Sequence, residues 1–492
     1  MIKSNGGIIG PDNVTTGGAF GTASGVFKLG EVTDLIKESK WPTAGPQGYQ
    51  SANSCRFDGT SAYLNKTFGS AGNRDKWTFS CWVKKCKNGV EQRMLTTSDN
   101  STFDDNIRFN SDDTLTIICN NSVVLKTNRV FRDNSAFYHI CVIWDSGNGT
   151  SGDRCQLFVN GTRETSFSTA SYPSQNQDSF INNNTPHYIG VTNATANSNF
   201  LNGYASEIVF LNDVASSPVD TLGEFNSQTG IWVPIDVSGL TFGTNGFYQN
   251  YSNASALGED FSGNDNDFSV NNLTSIDQST DTCSTNFCTM NPLDNYYAGS
   301  TFSEGNCRVV TGSSPETWNT STFGLSSGKW YMEFTIIDDG SGGSTLIGIA
   351  DRPTVSASEE LGGLATTYAY LSSGNFRTNN SNTSNGVSST DGDIIGVALN
   401  LDDNQISYYK NNTIIGSAQS ITAPASTLNG VYFIASGVWL DADTGTNDHN
   451  FGNPVLAHSS SNTDGNGFGS FEYAPPAGYL SINTKNLAAV LA

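Results

Sequence analysis

Residues 76–85, KWTFSCWVKK, indicate which fold to expect for the first half of the chain. Apolar and polar residues follow one another there in the pattern of a β-strand that has one side in a core. Two further strand patterns lie at 137–145, FYHICVIWD, and at 154–164, RCQLFVNGTRE. In the second of these, Asn160 and Gly161 tolerate the positive φ angles of a tight hairpin turn. Strands joined by such turns predict a β-sandwich or a β-barrel.

Strand patterns of the same kind fill most of the chain. They occupy residues 51–213 and resume at Cys307, with clusters of Gly, Asn and Asp between them. Helical periodicity is confined to GEVTDLIKESKWP at residues 30–42. We therefore predict an all-β chain with four parts: an attachment segment with one short helix at 1–45, a first sandwich at 46–215, a linker region with local structure at 216–305 and a second sandwich at 306–492.

The charge balance excludes several classes of partner. The 492 residues include 24 Lys and Arg against 46 Asp and Glu, a formal net charge of −22. Nucleic acids and anionic membrane surfaces bind clustered positive charge, so neither is expected as a partner. No stretch has the eighteen apolar residues that span a bilayer, and the first residues lack the apolar core of a secretory signal. We expect assembly in a cytoplasm and no membrane insertion.

The nine cysteines indicate core packing and not cross-linking. Their number is odd and their spacing irregular, which does not fit a closed disulfide framework. Cys119 and Cys141 stand inside apolar strand patterns, where a reduced thiol acts as a small apolar side chain.

Several motifs carry a resemblance to known families. WTFSCWVKK, FYHICVIWDS, RCQLFVNGTRE and FLNGYASEIVFLND resemble the laminin-G-like branch of the concanavalin A-like lectin/glucanase superfamily. GKWYMEFTI at 328–336, IGVALNLDDNQISYYKNN at 395–412 and VYFIASGVW at 431–439 look like a SPRY domain, a member of the same broad fold family. The resemblance implies two concanavalin A-like jelly-roll sandwiches.

A second resemblance concerns the segments outside these motifs. The opening at 6–42, the middle stretch at 225–295 and the close YAPPAGYLSINTKNL at 473–487 look like marine bacteriophage virion proteins of the tail-fibre-like type. This implies a structural protein on the virion exterior, on a tail or capsid appendage. Its expected partners are other virion proteins and a glycan or another component of the host envelope. A homo-oligomer is expected too; trimers are common in phage fibres, although no residue pattern here fixes that number.

In this interpretation the N-terminal segment attaches the chain to the particle. The apolar residues expected to make that contact are Ile8, Ile9, Val32, Leu35, Ile36 and Trp41.

The sequence does not predict an enzyme. A glycoside hydrolase needs two carboxylates about 5–10 Å apart, and the E-x-D-x-x-E strand of the glucanase relatives is missing. The G-x-S-x-G turn of a serine hydrolase is missing as well. An envelope-degrading enzyme is therefore the weakest of three hypotheses, behind a host-binding fibre and a decoration or adaptor protein that binds other virion subunits.

Binding sites are predicted in both sandwiches. Calcium prefers several oxygen ligands, and laminin-G-like sandwiches often bind one at a loop rim; the candidates are Asp104, Asp105, Asp112 and Asp113. Turns also use such residues, so no cofactor is assigned and calcium stays open. For a glycan, exposed aromatic rings at strand ends are the candidates: Trp439, Tyr368, Tyr370 and Phe376.

Overall fold

A computed structural model of the chain describes residues 8–10, 25–27, 48–99, 102–219, 221–226, 229–312, 317–340, 343–439 and 444–491. The chain divides into two compact units. The smaller comprises Met1–Gln50 and Val219–Val237, and the larger comprises Ser51–Pro218 and Ser238–Ala492.

Strands are numbered along the chain. The strands before residue 213 are β1 Ile8–Gly10, β2 Gly25–Phe27, β3 Ser54–Asp58, β4 Tyr63–Thr67, β5 Lys76–Lys85, β6 Gln92–Ser98, β7 Asp104–Phe109, β8 Thr114–Cys119, β9 Ser122–Val130, β10 Tyr138–Asp145, β11 Cys155–Val159, β12 Thr162–Arg163, β13 Phe167–Ala170, β14 Pro186–Ile189 and β15 Asn202–Asn212. Those from there to residue 320 are β16 Glu224–Phe225, β17 Trp232–Val233, β18 Phe247–Gln249, β19 Ser269–Asn271, β20 Gln278–Ser279, β21 Thr301–Ser303, β22 Arg308–Val310 and β23 Trp318–Thr320.

The remaining elements belong to the C-terminal part. They are β24 Lys329–Asp338, β25 Thr345–Ala350, β26 Tyr368–Leu371, β27 Asn375–Thr378, β28 Ser381–Ser384, β29 Ile394–Asn400, β30 Gln405–Lys410, β31 Thr413–Ser420, β32 Phe433–Val438, β33 Thr446–Asn450, β34 Leu480–Ser481 and helix α1 Thr484–Leu491. The all-β prediction is confirmed.

The smaller unit contains two antiparallel strand pairs among its described residues, β1 with β2 and β16 with β17. Phe225 packs edge-on against Trp232 across the second pair, with ring centroids 4.9 Å apart.

The first sandwich of the larger unit consists of two eight-stranded sheets. Sheet A has the order β12-β11-β10-β5-β15-β3-β20, with β18 also paired to β15, and sheet B has the order β13-β9-β8-β7-β6-β14-β4-β19. Strand β5 lies at the centre of sheet A. Its alternate residues Trp77, Phe79, Cys81 and Val83 point into one core with side chains of sheet B. The strand predicted at residues 76–85 is thus the central strand of sheet A.

The segment predicted as a linker contributes strands to this sandwich. Strands β18, β19 and β20 extend its sheets by pairing with β15, β4 and β3. Further along the same segment, Phe287 and Met290 form isolated bridges to Asn483 and Ser321 of the C-terminal part. The segment therefore pairs with strands on both sides of it in the sequence, and the boundaries of the four predicted parts remain a prediction.

The second sandwich has the same two-layer architecture. Sheet C has the order β21-β22-β33-β24-β29-β30-β31, with β34 parallel to β24, and sheet D has the order β23-β32-β25-β26-β27-β28. Its core lies between the sheets and includes Trp330, Phe334, Ile347 and Tyr370.

Buried ion pairs join the two sandwiches to the intervening segment. The Lys84 ammonium lies 2.8 Å from an Asp281 oxygen, and both side chains are 0% exposed. Arg56 pairs with Asp277 and Glu304, each at 3.2 Å. Arg56 also donates to the carbonyl oxygen of Pro454 at 3.3 Å, which links the first sandwich to the C-terminal part directly.

All nine cysteines are free thiols, and eight of them are buried. Burial raises the pKa of Cys155, in the core of the first sandwich, far above its ordinary value. Five of them pack in the two hydrophobic cores, as predicted: Cys55, Cys81, Cys119, Cys155 and Cys288.

Within the described residues, no helix has the length and apolar character needed to cross a membrane.

Candidate functional site

A polar cleft of about 320 Å³ lies on the outer face of sheet B, the face turned away from the core. We call it the polar cleft. It is lined by Arg93, Ser98, Phe103, Asp104, Asn121, Thr192, Ala196, Ser198 and Asn199.

Strand register places the cleft residues on one face. Ser98 of β6 lies opposite Asp104 of β7, and Thr96 lies opposite Asn106 one pair further along. Their neighbours Leu95 and Ile107 point into the core. Because side chains alternate between the faces of a sheet, Ser98, Asp104, Thr96 and Asn106 share the outer face.

The charges at the cleft are balanced. The buried guanidinium of Arg93 donates to Glu91 at 2.9 Å and to Asp104 at 3.2 Å. Arg108 donates to the same Glu91 at 3.2 Å. Two guanidinium groups therefore meet two carboxylates, and the wall carries no surplus charge.

One wall of the cleft is a loop between β14 and β15. Asn193 accepts hydrogen bonds from the backbone N–H groups of Thr195 and Ala196, which fixes a tight turn. Asn197 and Asn199 have positive φ angles, a conformation that asparagine adopts more easily than most residues. Asn199 then donates to Glu91 at 2.9 Å and to Thr192 at 3.2 Å.

The opposite wall supplies an aromatic ring. Phe103 is half-buried and stacks on Phe180 with ring centroids 4.2 Å apart. The cleft thus combines one apolar ring surface with the amides of Asn121 and Asn199 and with several hydroxyl groups. Such a set can hold a hydroxyl-rich ligand by planar hydrogen bonds and ring stacking, because few polar groups at fixed positions give a pocket its specificity.

Three of the four aromatic residues predicted for glycan binding belong to the core of the second sandwich. Tyr370 is 1% exposed, and Tyr368 and Phe376 are each 8% exposed. Tyr370 and Phe376 lie opposite each other across β26 and β27 and pack on Tyr408, with ring centroids 5.8 and 5.6 Å away. This corrects the prediction for these three residues, because the strand alternation turns their rings inward and away from an exposed face.

The fourth, Trp439, is half-buried at the end of β32. The guanidinium of Arg377 covers its ring at 5.3 Å from the centroid. Trp439 packs with the cluster on the outer face of sheet D, and so the structure does not bring it together with the other three residues.

The four predicted calcium ligands have other partners. Asp104 pairs with Arg93, Asp112 with Lys126 at 2.7 Å, and Asp113 with both Lys85 and Arg132 at 3.0 Å. Asp105 is buried and accepts from the backbone N–H groups of Asn120 and Phe180 at 2.6 Å. The hydrogen bond from Lys126 is the main cause that lowers the pKa of Asp112 to about 2.

The oxygens of these four side chains thus face N–H donors and cations, and the set does not fit a calcium ion. In the part of the chain that the structure describes, no group of three or more His, Cys, Asp or Glu side chains is arranged to hold a metal. The metal-site prediction for Asp104, Asp105, Asp112 and Asp113 is corrected accordingly; of the four, Asp104 lines the polar cleft.

Of the predicted attachment residues, Ile8 and Ile9 lie in strand β1. Val32, Leu35, Ile36 and Trp41, together with the predicted helix at 30–42, lie outside the described residues.

Two serine–histidine pairs, which could in principle form a nucleophile and its base, are buried and bonded to each other. Ser80 lies 2.7 Å from the Nε2 atom of His139, and Ser436 lies 2.8 Å from that of His449. All four side chains are buried, and burial lowers the pKa of each histidine to about 3. A substrate cannot reach a nucleophile in such a position.

The carboxyl group of Glu333 is also buried, and burial raises its pKa to about 7. It accepts hydrogen bonds from the backbone N–H groups of Glu472 and Tyr473 at 2.9 and 2.7 Å. These bonds fasten the chain near residue 472 to sheet C, which is a structural role.

Sequence reasoning missed most of the polar cleft. Arg93, Thr96, Asn106 and Asn199 were not predicted as site residues, although QRMLTTS and DDNIRF place polar residues at alternate strand positions. That alternation was the available signal.

The comparisons with known proteins agree with the two-sandwich fold. Residues 58–218 match the laminin G profile of the concanavalin A-like lectin/glucanases superfamily, and residues 329–435 match the SPRY domain profile. The first sandwich is therefore concanavalin A-like and the second is a SPRY domain. Both are binding folds of a lectin-like kind. No curated protein sequence matches the chain.

Solved structures resemble parts of the chain. A SPRY domain of human HERC1 is 16% identical, with 32% of this chain and 96% of that one covered and a TM-score of 0.26. A putative carbohydrate binding protein from Bacteroides ovatus is 13% identical, with 46% and 59% covered and a TM-score of 0.30. A heptameric SAP-like pentraxin from Limulus polyphemus is 13% identical, with 38% and 93% covered and a TM-score of 0.27. At these TM-scores none of the three supports an argument about function.

Proposed function

We propose that this chain is a non-catalytic glycan-binding protein and that the polar cleft of its first sandwich holds the sugar. The observation that carries the proposal is the combination of Phe103, two asparagine amides and several hydroxyl groups in one cleft of about 320 Å³. A sugar has hydroxyl groups around a ring with apolar faces. The amides and hydroxyl groups of the cleft can bond the sugar hydroxyl groups, and the Phe103 ring can stack on an apolar face.

Two features support binding without turnover. Glu91 and Asp104 accept hydrogen bonds from the same guanidinium group of Arg93, whereas a glycosidase needs one carboxyl group that keeps a proton to donate. The Ser–His pairs at Ser80 and Ser436 have no access to solvent.

We further propose that the protein acts on a bacteriophage virion, as a tail fibre or appendage that binds the host surface. The motif resemblance at 6–42, 225–295 and 473–487 supports this role. Assembly would take place in the host cytoplasm, and the N-terminal segment would attach the chain to other virion proteins. Several copies in a homo-oligomer would turn weak single contacts into firm adhesion.

A decoration or adaptor protein that binds other virion subunits is the second candidate. Strand β31 is an exposed sheet edge of eight residues without a charged side chain or a proline, and such an edge accepts another strand readily. Leu293 and Tyr296 add exposed apolar surface, at 60% and 89% exposure.

Adsorption to host cells separates the two candidates. If the cleft binds a glycan, both cleft variants Phe103→Ala and Asn199→Ala should lose adsorption. Phe103→Ala should leave the melting temperature nearly unchanged because the ring is half-buried at the surface. Asn199→Ala should lower it by a few degrees, because alanine is strained at this positive φ angle and the hydrogen bond to Glu91 is lost. Normal adsorption by both variants, together with loss of particle assembly on substitution in β31, would favour the adaptor.

A further inference from the structure

Two buried polar side chains next to the cleft have no hydrogen-bond partner in the part of the chain that the structure describes. Asn106 and Thr96 are both 0% exposed. Among the described residues, neither the amide nitrogen nor the amide oxygen of Asn106 has a hydrogen-bond partner, and the Thr96 hydroxyl has none either. Native proteins leave few buried polar groups in this condition, so each such group calls for an explanation.

The two side chains continue the cleft along the sheet. The pair Thr96–Asn106 follows the cleft-lining pair Ser98–Asp104, on the same face. Two residues of a strand span about 7 Å, roughly the length of one hexose ring. The pair therefore lies next to the cleft on the same face of sheet B, as a buried row beyond the residues that line it.

The loop between β14 and β15 packs beside this buried pair. Val191 and Phe200, at the two ends of the loop, form a small buried cluster with Tyr188, which lies beside Thr96 in the sheet. Between them the loop closes on itself through the bond from Thr192 N–H to Ser198 oxygen. Its ties to β6 include one backbone bond, from Arg93 N–H to Asn199 oxygen, and a 3.4 Å bond from Asn193 to Ser98. Because both side chains are fully buried, a ligand in the cleft reaches them only if residues 192–199 move aside.

We infer that Thr96 and Asn106 determine the specificity of the cleft by binding the hydroxyl groups of a neutral hexose residue. This inference rests on the proposed glycan-binding function. A primary amide presents an acceptor oxygen and an NH2 donor group side by side in one plane, which matches two neighbouring ring hydroxyl groups. The Thr96 hydroxyl can donate to, or accept from, a third oxygen.

The charge distribution selects neutral sugars over acidic ones. The guanidinium groups of Arg93 and Arg108 are already paired with Glu91 and Asp104, so neither is free for a carboxylate or a sulfate. The net charge of −22 also repels polyanionic chains.

The test uses the full chain and a panel of probes: maltohexaose, cellohexaose and mannohexaose as neutral sugars, alginate and heparin as acidic ones. We expect binding to at least one neutral probe, little change between low and high salt, and no binding to the acidic pair. Binding to the acidic probes alone overturns the inference and leaves the proposed function standing. Binding to no probe at all counts against both.

Two near-isosteric variants then test the residues themselves. Asn106→Leu and Thr96→Val should each weaken the neutral sugar about tenfold, the effect of one or two lost hydrogen bonds. Their melting temperatures should stay the same or rise, since an unpartnered polar group is removed. The matched control is Thr97→Val, on the same strand but bonded to Thr185 on the inner side, which should leave affinity unchanged. Full affinity in Asn106→Leu and Thr96→Val, beside lost affinity in Phe103→Ala, would overturn the inference alone.

Discussion

The two sandwiches share an architecture and differ in what covers their outer faces. Sheet B of the first sandwich carries the polar cleft with its paired charges, and next to it two buried polar side chains without a hydrogen-bond partner among the described residues. The outer face of sheet D in the second sandwich carries an apolar cluster that includes Trp318, Leu346 and Leu371. The fold is common to both, and the function therefore depends on which residues alternate outward.

The difference follows from short stretches of sequence. In the first sandwich the outward positions of β6 and β7 are Thr96, Ser98, Asp104 and Asn106. In the second, the corresponding alternation in β25 and β26 places aliphatic residues outward, and the face is closed by packing. An apolar outward row is stabilised by the packing that covers it, whereas a polar outward row keeps hydrogen-bonding groups that a ligand can use.

The largest expected effect concerns the connection between the sandwiches. Lys84→Met leaves the Asp281 carboxylate buried without its cation and should cost about 3–5 kcal/mol of stability. Because Lys84 also donates to Asn286 and the carbonyl oxygen of Phe287, the loss should disturb the segment between the sandwiches as well. Urea denaturation followed by tryptophan fluorescence measures the change.

The matched control is Lys76→Met, whose exposed ion pair with Asp213 spans 4.0 Å. That substitution should cost no more than about 1 kcal/mol. Equal losses for the two variants would show that the buried pair does not join the parts as described.

The next effect separates packing from binding. Leu346→Ala, on the apolar outer face of sheet D, should cost about 2–5 kcal/mol and leave sugar affinity unchanged. Phe103→Ala in the polar cleft should instead abolish sugar affinity and change the stability little. Calorimetric melting and titration with the neutral probe measure both quantities; reduced affinity in a folded Leu346→Ala protein would contradict the assignment of the site to the first sandwich.

The pH dependence of stability should differ between the two sandwiches. Burial lowers the pKa of His187 in the first sandwich to about 4, against about 6.5 when unfolded. Its contribution to stability is present above pH 6.5 and is lost as the pH falls towards 4, on the order of 1–3 kcal/mol. Glu333 in the second sandwich has the opposite sign: its raised pKa favours the folded state below pH 4.5, and that contribution is lost as the pH rises through about 7.

His187→Gln should therefore flatten the fall in melting temperature between pH 6.5 and 4, and Glu333→Gln should flatten the fall between pH 4.5 and 7. Unchanged slopes in both variants would mean that these groups are solvated in solution.

The smallest expected effect is that of calcium. Since Asp104, Asp105, Asp112 and Asp113 are bonded to cations and N–H groups, chelation should change the melting temperature by less than about 1 °C. A calcium-dependent rise of several degrees would mean that this region rearranges around the ion.

Much of the fold could be predicted from the sequence, because strand alternation and turn residues are local signals. Strand β5 and the Asn160–Gly161 turn show this directly. The site could not be predicted in the same way. Asp113 meets Lys85 and Arg132 only after three distant segments come together.

The sequence also did not show which side chains of a strand point into the core and which point outward, and this limited the prediction of site residues. Phe376 stands between the polar residues Asn375 and Arg377, as a surface aromatic would, yet its ring and that of Tyr370 point into the core. Asn106 became a candidate only when the pairing of β6 with β7 placed it opposite Thr96.

The position of a bound sugar in a crystal structure shows whether the polar cleft is the binding site. In a crystal structure of the full chain with the tightest neutral oligosaccharide, we expect one ring stacked on Phe103 with its hydroxyl groups bonded to Asn106 and Asn199. A sugar seated instead on Trp439 of the second sandwich, with the polar cleft unaltered, would contradict the account.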